Sequence, residues 1–320
     1  MDRLSSDLGS DRDAEAAGVP ALALPAADEA LIDPVAAPNV PERLFRLGEL
    51  DVHYDESLRA LWTFMRPAQR PSFTPPMLGD FELWQQLIGS HFGPGRVPLD
   101  YVVLGSRAPG VFCYGGDLEL FHQLIRARDR DGLAAYGYRC VRILHRNLHA
   151  LDLPILTVGV VQGQALGGGM EALLSFDFLI AERGVTFGLP EVMFGLFPGM
   201  GAHTLLSRKL GTAMADRMIL SNQSYKAEEL YEMGLVTHLA NPGEGVQATR
   251  DFMTRSGRRH GGLVAARRAM RIAAPVTLGE FEAIVDLWAD AALNLTESDL
   301  KLMSRLAQAQ GRGHTPAVAA

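Results

Sequence analysis

The apolar positions change period several times along the chain, and each change marks an element. Alternation at Leu50, Val52 and Tyr54, then an apolar run from Leu58 to Met65, predicts two strands around an Asp-Glu-Ser turn. Arg66 to Pro76 holds four prolines and predicts an irregular connection. Met77 to His91 places Leu78, Phe81, Trp84, Leu87 and Ile88 at helical spacing. Tyr101 to Gly105 is a short strand whose following loop ends at Asp117, suited to a helix N-cap. Leu118 to Leu151 reads as one long helix. Ile155 to Val161 is a strand entering Gly167-Gly168-Gly169, after which a short apolar helix carries Glu171. Phe176 to Ala181 is a further strand; it leads through Gly188-Leu189-Pro190-Glu191 to a break at Pro198-Gly199-Met200-Gly201.

Helices are predicted around Arg208-Lys209, at Met214–Leu220 and at Lys226–Gly234, with a small strand at Leu235–Leu239. The remainder is helical: 244–255, 263–273, and one amphipathic helix from Leu278 to Ala309. Strands alternating with helices and then a helical end predict an α/β core over 43–240 with a C-terminal helical module over 241–312. Residues 1–42 are rich in Ala, Asp and Pro and hold no aromatic residue, so a disordered tail is expected, with a frayed end at 313–320.

Composition narrows the function classes. Of 320 residues, 48% are hydrophobic and 21% charged, which fits a soluble globular protein. A net charge of -7 argues against nucleic acid as a partner. No apolar run is long enough to span a bilayer, and the acidic first residues lack the features of a signal peptide, so a cytoplasmic location is expected. Cys113 and Cys140 read as free thiols. The nine histidines show no metal-ligand spacing, with His145 and His149 a helix surface pair; no metal and no cofactor are expected. Arg126, Arg128, Arg130, Arg139, Arg142 and Arg146 make the long helix basic, which reads first as a solvated face and second as a docking patch.

The chemistry concentrates at the glycines. A helix that begins at Gly167-Gly168-Gly169 exposes amide N–H groups without acceptors, and Tyr114-Gly115-Gly116 before Asp117 offers a second set. Two such donors on one carbonyl oxygen would stabilise an enolate or a tetrahedral oxyanion. Glu171, among apolar neighbours, suits a carboxyl whose burial lets it give or take a proton near neutrality. Glu191, after what reads as a helix N1 proline, is either a second such group or a dipole-stabilising acid.

FCYGGDL (112–118), ALGGGMEALLSFDFLIA (165–181) and FGLPEVMFGLFPGMGA (187–202) together resemble the crotonase, or enoyl-CoA hydratase/isomerase, superfamily. The resemblance implies a spiral of ββα units, a C-terminal α-helical trimerisation module (a homotrimer or dimer of trimers) and thioester substrates. It further implies an oxyanion hole from the N–H groups of Tyr114 or Gly115 and of Gly168, with Glu171 and Glu191 on the acid/base positions of the hydratases. MRPAQRPSFTPPML (65–78), GGDLELF and the C-terminal LWADAALNLTESDLKLMSRLAQAQ resemble the diffusible signal factor synthases within it. These dehydrate a 3-hydroxyacyl carrier-protein thioester to a cis-2-enoyl thioester and hydrolyse it to a fatty-acid quorum-sensing signal. Met170, Met193, Phe194, Phe197, Met200, Trp288 and Leu306 are candidates for the acyl pocket, with Met200, Trp288 and Leu306 favoured by motif position. Implied partners are an acyl carrier protein or coenzyme A thioester and a sensor-kinase receiver domain. Other readings are an ordinary enoyl-CoA hydratase, an acyl-CoA thioesterase, or a regulatory binder of a sensor kinase.

Overall fold

The computed structural model describes residues 39–312; most of the expected N-terminal tail and all of 313–320 lie outside them. A 3-10 turn at Glu42–Phe45 buries Leu44 against the core. β1 (Leu50–Asp55) alternates buried and half-buried residues and pairs antiparallel with β2 (Ala60–Met65), Leu50 opposite Met65. α1 (Pro75–His91) starts slightly earlier than its apolar period suggests. Thr74 caps it, accepting from the Met77 N–H at 3.4 Å, and both prolines sit in the first turn, where the helix needs no donor.

Three successive stretches then follow one plan. β3 (Tyr101–Ser106) and β4 (Val111–Cys113) precede α2 (Leu118–Arg126) and α3 (Arg130–Leu148). β5 (Leu156–Val161) and β6 (Gln164–Leu166) precede α4 (Gly168–Leu173). β7 (Phe178–Glu182) and β8 (Thr186–Gly188) precede a 3-10 turn (Glu191–Phe194) and α5 (Ala202–Leu210). After α6 (Thr212–Leu220) come β9 (Ser224–Lys226), α7 (Ala227–Glu232) and β10 (His238–Ala240). The first strand of each pair enters the larger sheet, ordered β1-β2-β3-β5-β7-β10 and parallel from β2 onward. The second enters a smaller sheet, β4-β6-β8-β9, closed by antiparallel β9. This is the expected spiral of ββα units, and it ends in a helical region: α8 (Gly245–Ser256), α9 (His260–Ala273), α10 (Leu278–Ala292) and α11 (Glu297–Arg312).

Parallel strands are covered on both faces, which explains their unbroken apolar runs. One face of the larger sheet, with Trp62, Val103, Val158 and Ile180, packs with Phe252 and Met253 of α8. The other, with Leu61, Val102 and Val161, joins the main core beneath α1 and α3.

Two long helices expected from the sequence are each two helices. The segment 118–151 breaks before α3, where Arg128 has a φ of 53° and Asp129 accepts from the Gly132 N–H at 2.9 Å. The segment 278–309 breaks between α10 and α11. There the Thr296 N–H donates to Asp299 Oδ2 at 2.9 Å while the Asp299 N–H donates to Thr296 Oγ1 at 3.3 Å, a reciprocal cap.

Four of the six arginines along α2 and α3 form ion pairs within the chain, while Arg128 and Arg146 are exposed. Arg126 pairs with Glu297 of α11, Arg130 with Asp286 (3.1 Å) and Asp290 (2.6 Å) of α10, and Arg142 with Glu282 (2.9 Å). Arg139 reaches Glu82 of α1 at 2.8 Å. Exposed pairs like these contribute little stability each; the last two helices are held chiefly by Phe281, Val285, Trp288, Leu300 and Met303 in the core.

Candidate active site

α4 begins where β6 ends, and its first residues have no room for side chains. A methyl group at Gly168 would fall 2.5 Å from Met200 Sδ, and one at Gly115 would fall 2.5 Å from the Gly168 nitrogen. Gly115 also has a φ of +92°, a left-handed conformation that costs other residues strain. The loop after β4 therefore lies directly on the N-terminus of α4.

Hydrogen bonding decides which amides of that loop remain available. The Tyr114 N–H donates to the Pro71 carbonyl at 2.7 Å, and the Gly115 N–H faces Cys113 Sγ at 3.3 Å. Neither is free for a ligand, which corrects the expectation that Tyr114 or Gly115 donates. Among the described residues the Gly116 N–H meets no acceptor, nor does that of Gly168, the first residue of α4. Both glycines line one cavity, and a methyl at Gly168 would lie 3.5 Å from the Gly116 nitrogen. The open N–H beside that of Gly168 is therefore that of Gly116.

Glu171 follows Gly168 by just under one helical turn, so it faces the same cavity. It is 1% exposed, and its Oε1 accepts from the N–H groups of Met200 and Ala202, both at 2.9 Å. Ala202 opens α5, whose N-cap Gly201 has no side chain, so Glu171 supplies the cap from another turn of the spiral. Burial raises the Glu171 carboxyl to about 7, against the opposing pull of these amides.

Glu191 arrives from the following turn, where Pro190 is the N-cap of a 3-10 turn rather than a helix N1 residue. Its Oε1 rests on Gly167, where a methyl would approach it to 2.6 Å. Its Oε2 is buried and has no hydrogen-bond partner. Burial first, and then the nearby charge of Glu171, hold the Glu191 carboxyl well above the usual range. Once one carboxyl of the pair is ionised the other resists losing its proton, so the pair can hold a base beside an acid. The amides on Glu171 favour the charge there and the proton on Glu191.

Phe194, Met200, Trp288 and Leu306 line the cavity, so the C-terminal helices α10 and α11 close it. Met170 does not: it is 2% exposed and packs in the core, one residue and so about 100° around α4 from Glu171. Met193 points outward at 48% exposure, and Phe197 packs edge-on against His203. Sequence reasoning missed Phe121 and Tyr136, which form one wall with Trp288: rings 5.0 Å apart for Phe121–Tyr136 and 4.9 Å for Phe121–Trp288. Tyr136 also donates to the Phe73 carbonyl at 2.6 Å and accepts from the Asp117 N–H at 3.2 Å, bracing the glycine loop. Nothing in the apolar period of α3 distinguishes Tyr136 from ordinary core. Among the described residues no cluster of His, Cys, Asp and Glu could hold a metal ion, and no helix is long and apolar enough to cross a membrane.

Comparison with known proteins agrees with the geometry. The family model described as enoyl-CoA hydratase/isomerase matches residues 98–258, half of the chain. A short-chain-enoyl-CoA hydratase of Clostridium acetobutylicum is 37% identical over 151 residues, 47% of this chain and 55% of the relative. A crotonyl-CoA hydratase of Syntrophomonas wolfei is 33% identical over 146 residues, 46% of this chain and 54% of the relative. The chain thus spans about half the length of these relatives. Among solved structures, an enoyl-CoA hydratase/isomerase from Xanthobacter autotrophicus Py2 superposes with a TM-score of 0.68 at 18% identity, covering 85% of this chain and all of its own. Pseudomonas aeruginosa DspI superposes with a TM-score of 0.61 at 23% identity, covering 75% of this chain and 95% of its own. On the family match, joined to the ββα spiral and the paired carboxyls beside two open amides, this chain belongs to the enoyl-CoA hydratase/isomerase family of the crotonase superfamily.

Proposed function

We propose that the protein is a diffusible signal factor synthase: it dehydrates a 3-hydroxyacyl carrier-protein thioester to a cis-2-enoyl thioester and hydrolyses that product to release the free acid. The observation that carries the reaction is the placement of two buried carboxyls, Glu171 and Glu191, on the same cavity as the main-chain N–H groups of Gly116 and Gly168. The thioester carbonyl oxygen sits between the two amides. The ionised carboxyl removes the C2 proton, and the amides hold the enolate oxygen that results. The enolate collapses to the C2–C3 double bond, the C3–O bond breaks, and the protonated carboxyl gives its proton to the departing hydroxyl, which leaves as water. In the second step a carboxylate takes a proton from water as the oxygen attacks C1; the thiolate leaves and is protonated.

The synthase reading rests on the segments 65–78 and 287–310, whose residues resemble that group. A core over 43–240, a trimerising helical module over 241–312, and a receiver domain of a sensor kinase as a further partner belong to the same reading. The alternative, an ordinary enoyl-CoA hydratase, is favoured by the names of the relatives in sequence. Crotonyl-CoA and a 3-hydroxyacyl carrier protein offered side by side separate them. Release of a cis-2-unsaturated free acid from the carrier protein is the expected result; hydration of crotonyl-CoA with no free acid from either substrate would establish the alternative.

A further inference from the structure

Behind the catalytic cavity lies a second one, enclosed by α1, α3 and α4. Phe81, Trp84, Ile143, Leu144 and Phe176 form most of its walls, which are apolar almost throughout. Its volume is about 40 Å³, against about 120 Å³ for the first. Gln85, Asn147 and Ser175 are its polar lining residues, and the surface they leave is almost wholly apolar, which suits an aliphatic occupant. Met200 is the one residue that borders both cavities. Its N–H is held by Glu171 at 2.9 Å, but its thioether ends against Gly168, at the start of α4. α4 forms the rest of the partition, presenting Glu171 to one side and Ala172 to the other. An unbranched thioether is the most adaptable of apolar side chains, so this wall can move while the backbone that caps Glu171 stays fixed.

We propose that the second cavity is a distal chamber for the aliphatic end of the acyl chain, and that Met200 is the partition that sets which chain lengths enter it. A chain anchored by its carbonyl at Gly116 and Gly168 runs past the carboxyls toward Met200. Short chains end in the first chamber. Longer ones displace the thioether and bury their terminal carbons among Phe81, Trp84 and Ile143. The inference rests on the acyl-thioester reading above, and binding separates the two.

The experiment measures the affinity of saturated butyryl-, octanoyl- and dodecanoyl-CoA, which cannot be dehydrated, by calorimetry on the full chain. Ile143→Phe fills the distal chamber from a wall away from the carboxyls, and Met200→Ala removes the partition; thermal melts confirm that both fold. Ile143→Phe is expected to weaken dodecanoyl-CoA relative to butyryl-CoA by about ten-fold or more, and Met200→Ala to shift the ratio the other way. Cys140→Leu, filling the chamber from its neighbouring wall, replaces Ile143→Phe if that variant misfolds. A dodecanoyl-to-butyryl ratio that stays within about two-fold of the parent when the chamber is filled overturns the proposal, whatever Met200→Ala does. A length response in binding, with no conversion of a 3-hydroxyacyl thioester assayed alongside, would leave the chamber standing and refute the reaction.

Discussion

Glu171 is held in two opposing ways: burial disfavours its charge, and two main-chain donors favour it. The balance puts its proton equilibrium at about 7, in the range where a carboxyl both gives and takes protons. Activity is expected to fall as pH drops through about 7 and Glu171 gains a proton, and to fall again at higher pH once Glu191 loses its own. A kcat/KM profile over pH checks this; a flat profile through neutrality would remove the paired base and acid from the mechanism. Glu171→Gln keeps an oxygen for the Met200 and Ala202 donors, so the fold should survive while turnover falls about 10²–10⁴-fold, measured by steady-state kinetics beside a thermal melt. The glycines predict a contrast. Gly115→Ala pushes a methyl onto the Gly168 main chain from a left-handed position, and should abolish turnover and lower Tm. Gly168→Ala meets chiefly the flexible end of Met200, with the Gly115 main chain at 3.3 Å, and should keep the fold with weakened acyl binding. The acids and the Gly168 donor were legible in the sequence. Gly116 was not, because which amide of its loop stays open depends on Pro71, far away along the chain.

Elements whose signal is periodic were read closely: β1, β2, β3 and β5 from alternation or apolar runs, α1 and α5 from helical spacing. The smaller sheet escaped entirely. Each of its strands has three residues, too few to establish a period, and their pairing depends on the spiral bringing them together. The breaks within the two long helices escaped for another reason. Continuous apolar spacing hid the caps, although Asp129 and the Thr296-Glu297-Ser298-Asp299 sequence carried them. Thr296→Ala removes one half of the reciprocal cap that starts α11. It should cost about 1 kcal/mol and lower Tm by calorimetry. Because Leu306 of that helix lines the cavity, substrate KM should rise with kcat little changed.

Over the whole molecule, stability should carry the imprint of the buried acids. A carboxyl with a raised folded equilibrium binds its proton more tightly folded than unfolded. Its contribution is therefore complete below the unfolded value near 4.5 and is lost as pH rises through about 7 for Glu171, and higher for Glu191. For Glu171 the loss is on the order of 3 kcal/mol. Acids lowered by partners act in the reverse sense and weaken the fold only in acid; Asp55, held down against its burial by hydrogen bonds from Ser57 and the Leu58 N–H and then by Arg250, is one. Urea unfolding at pH 6 and pH 9 should show a decline in the parent that Glu171→Gln largely removes; an equal decline in both would place the alkaline loss elsewhere. The spiral itself has a further consequence. Its two open amides belong to the peptide backbone of adjacent coils, so exchange of the acids or of the apolar lining leaves them in place. A scaffold of this kind can take on new acid–base chemistry beside an unchanged pair of main-chain donors, provided its glycines are kept.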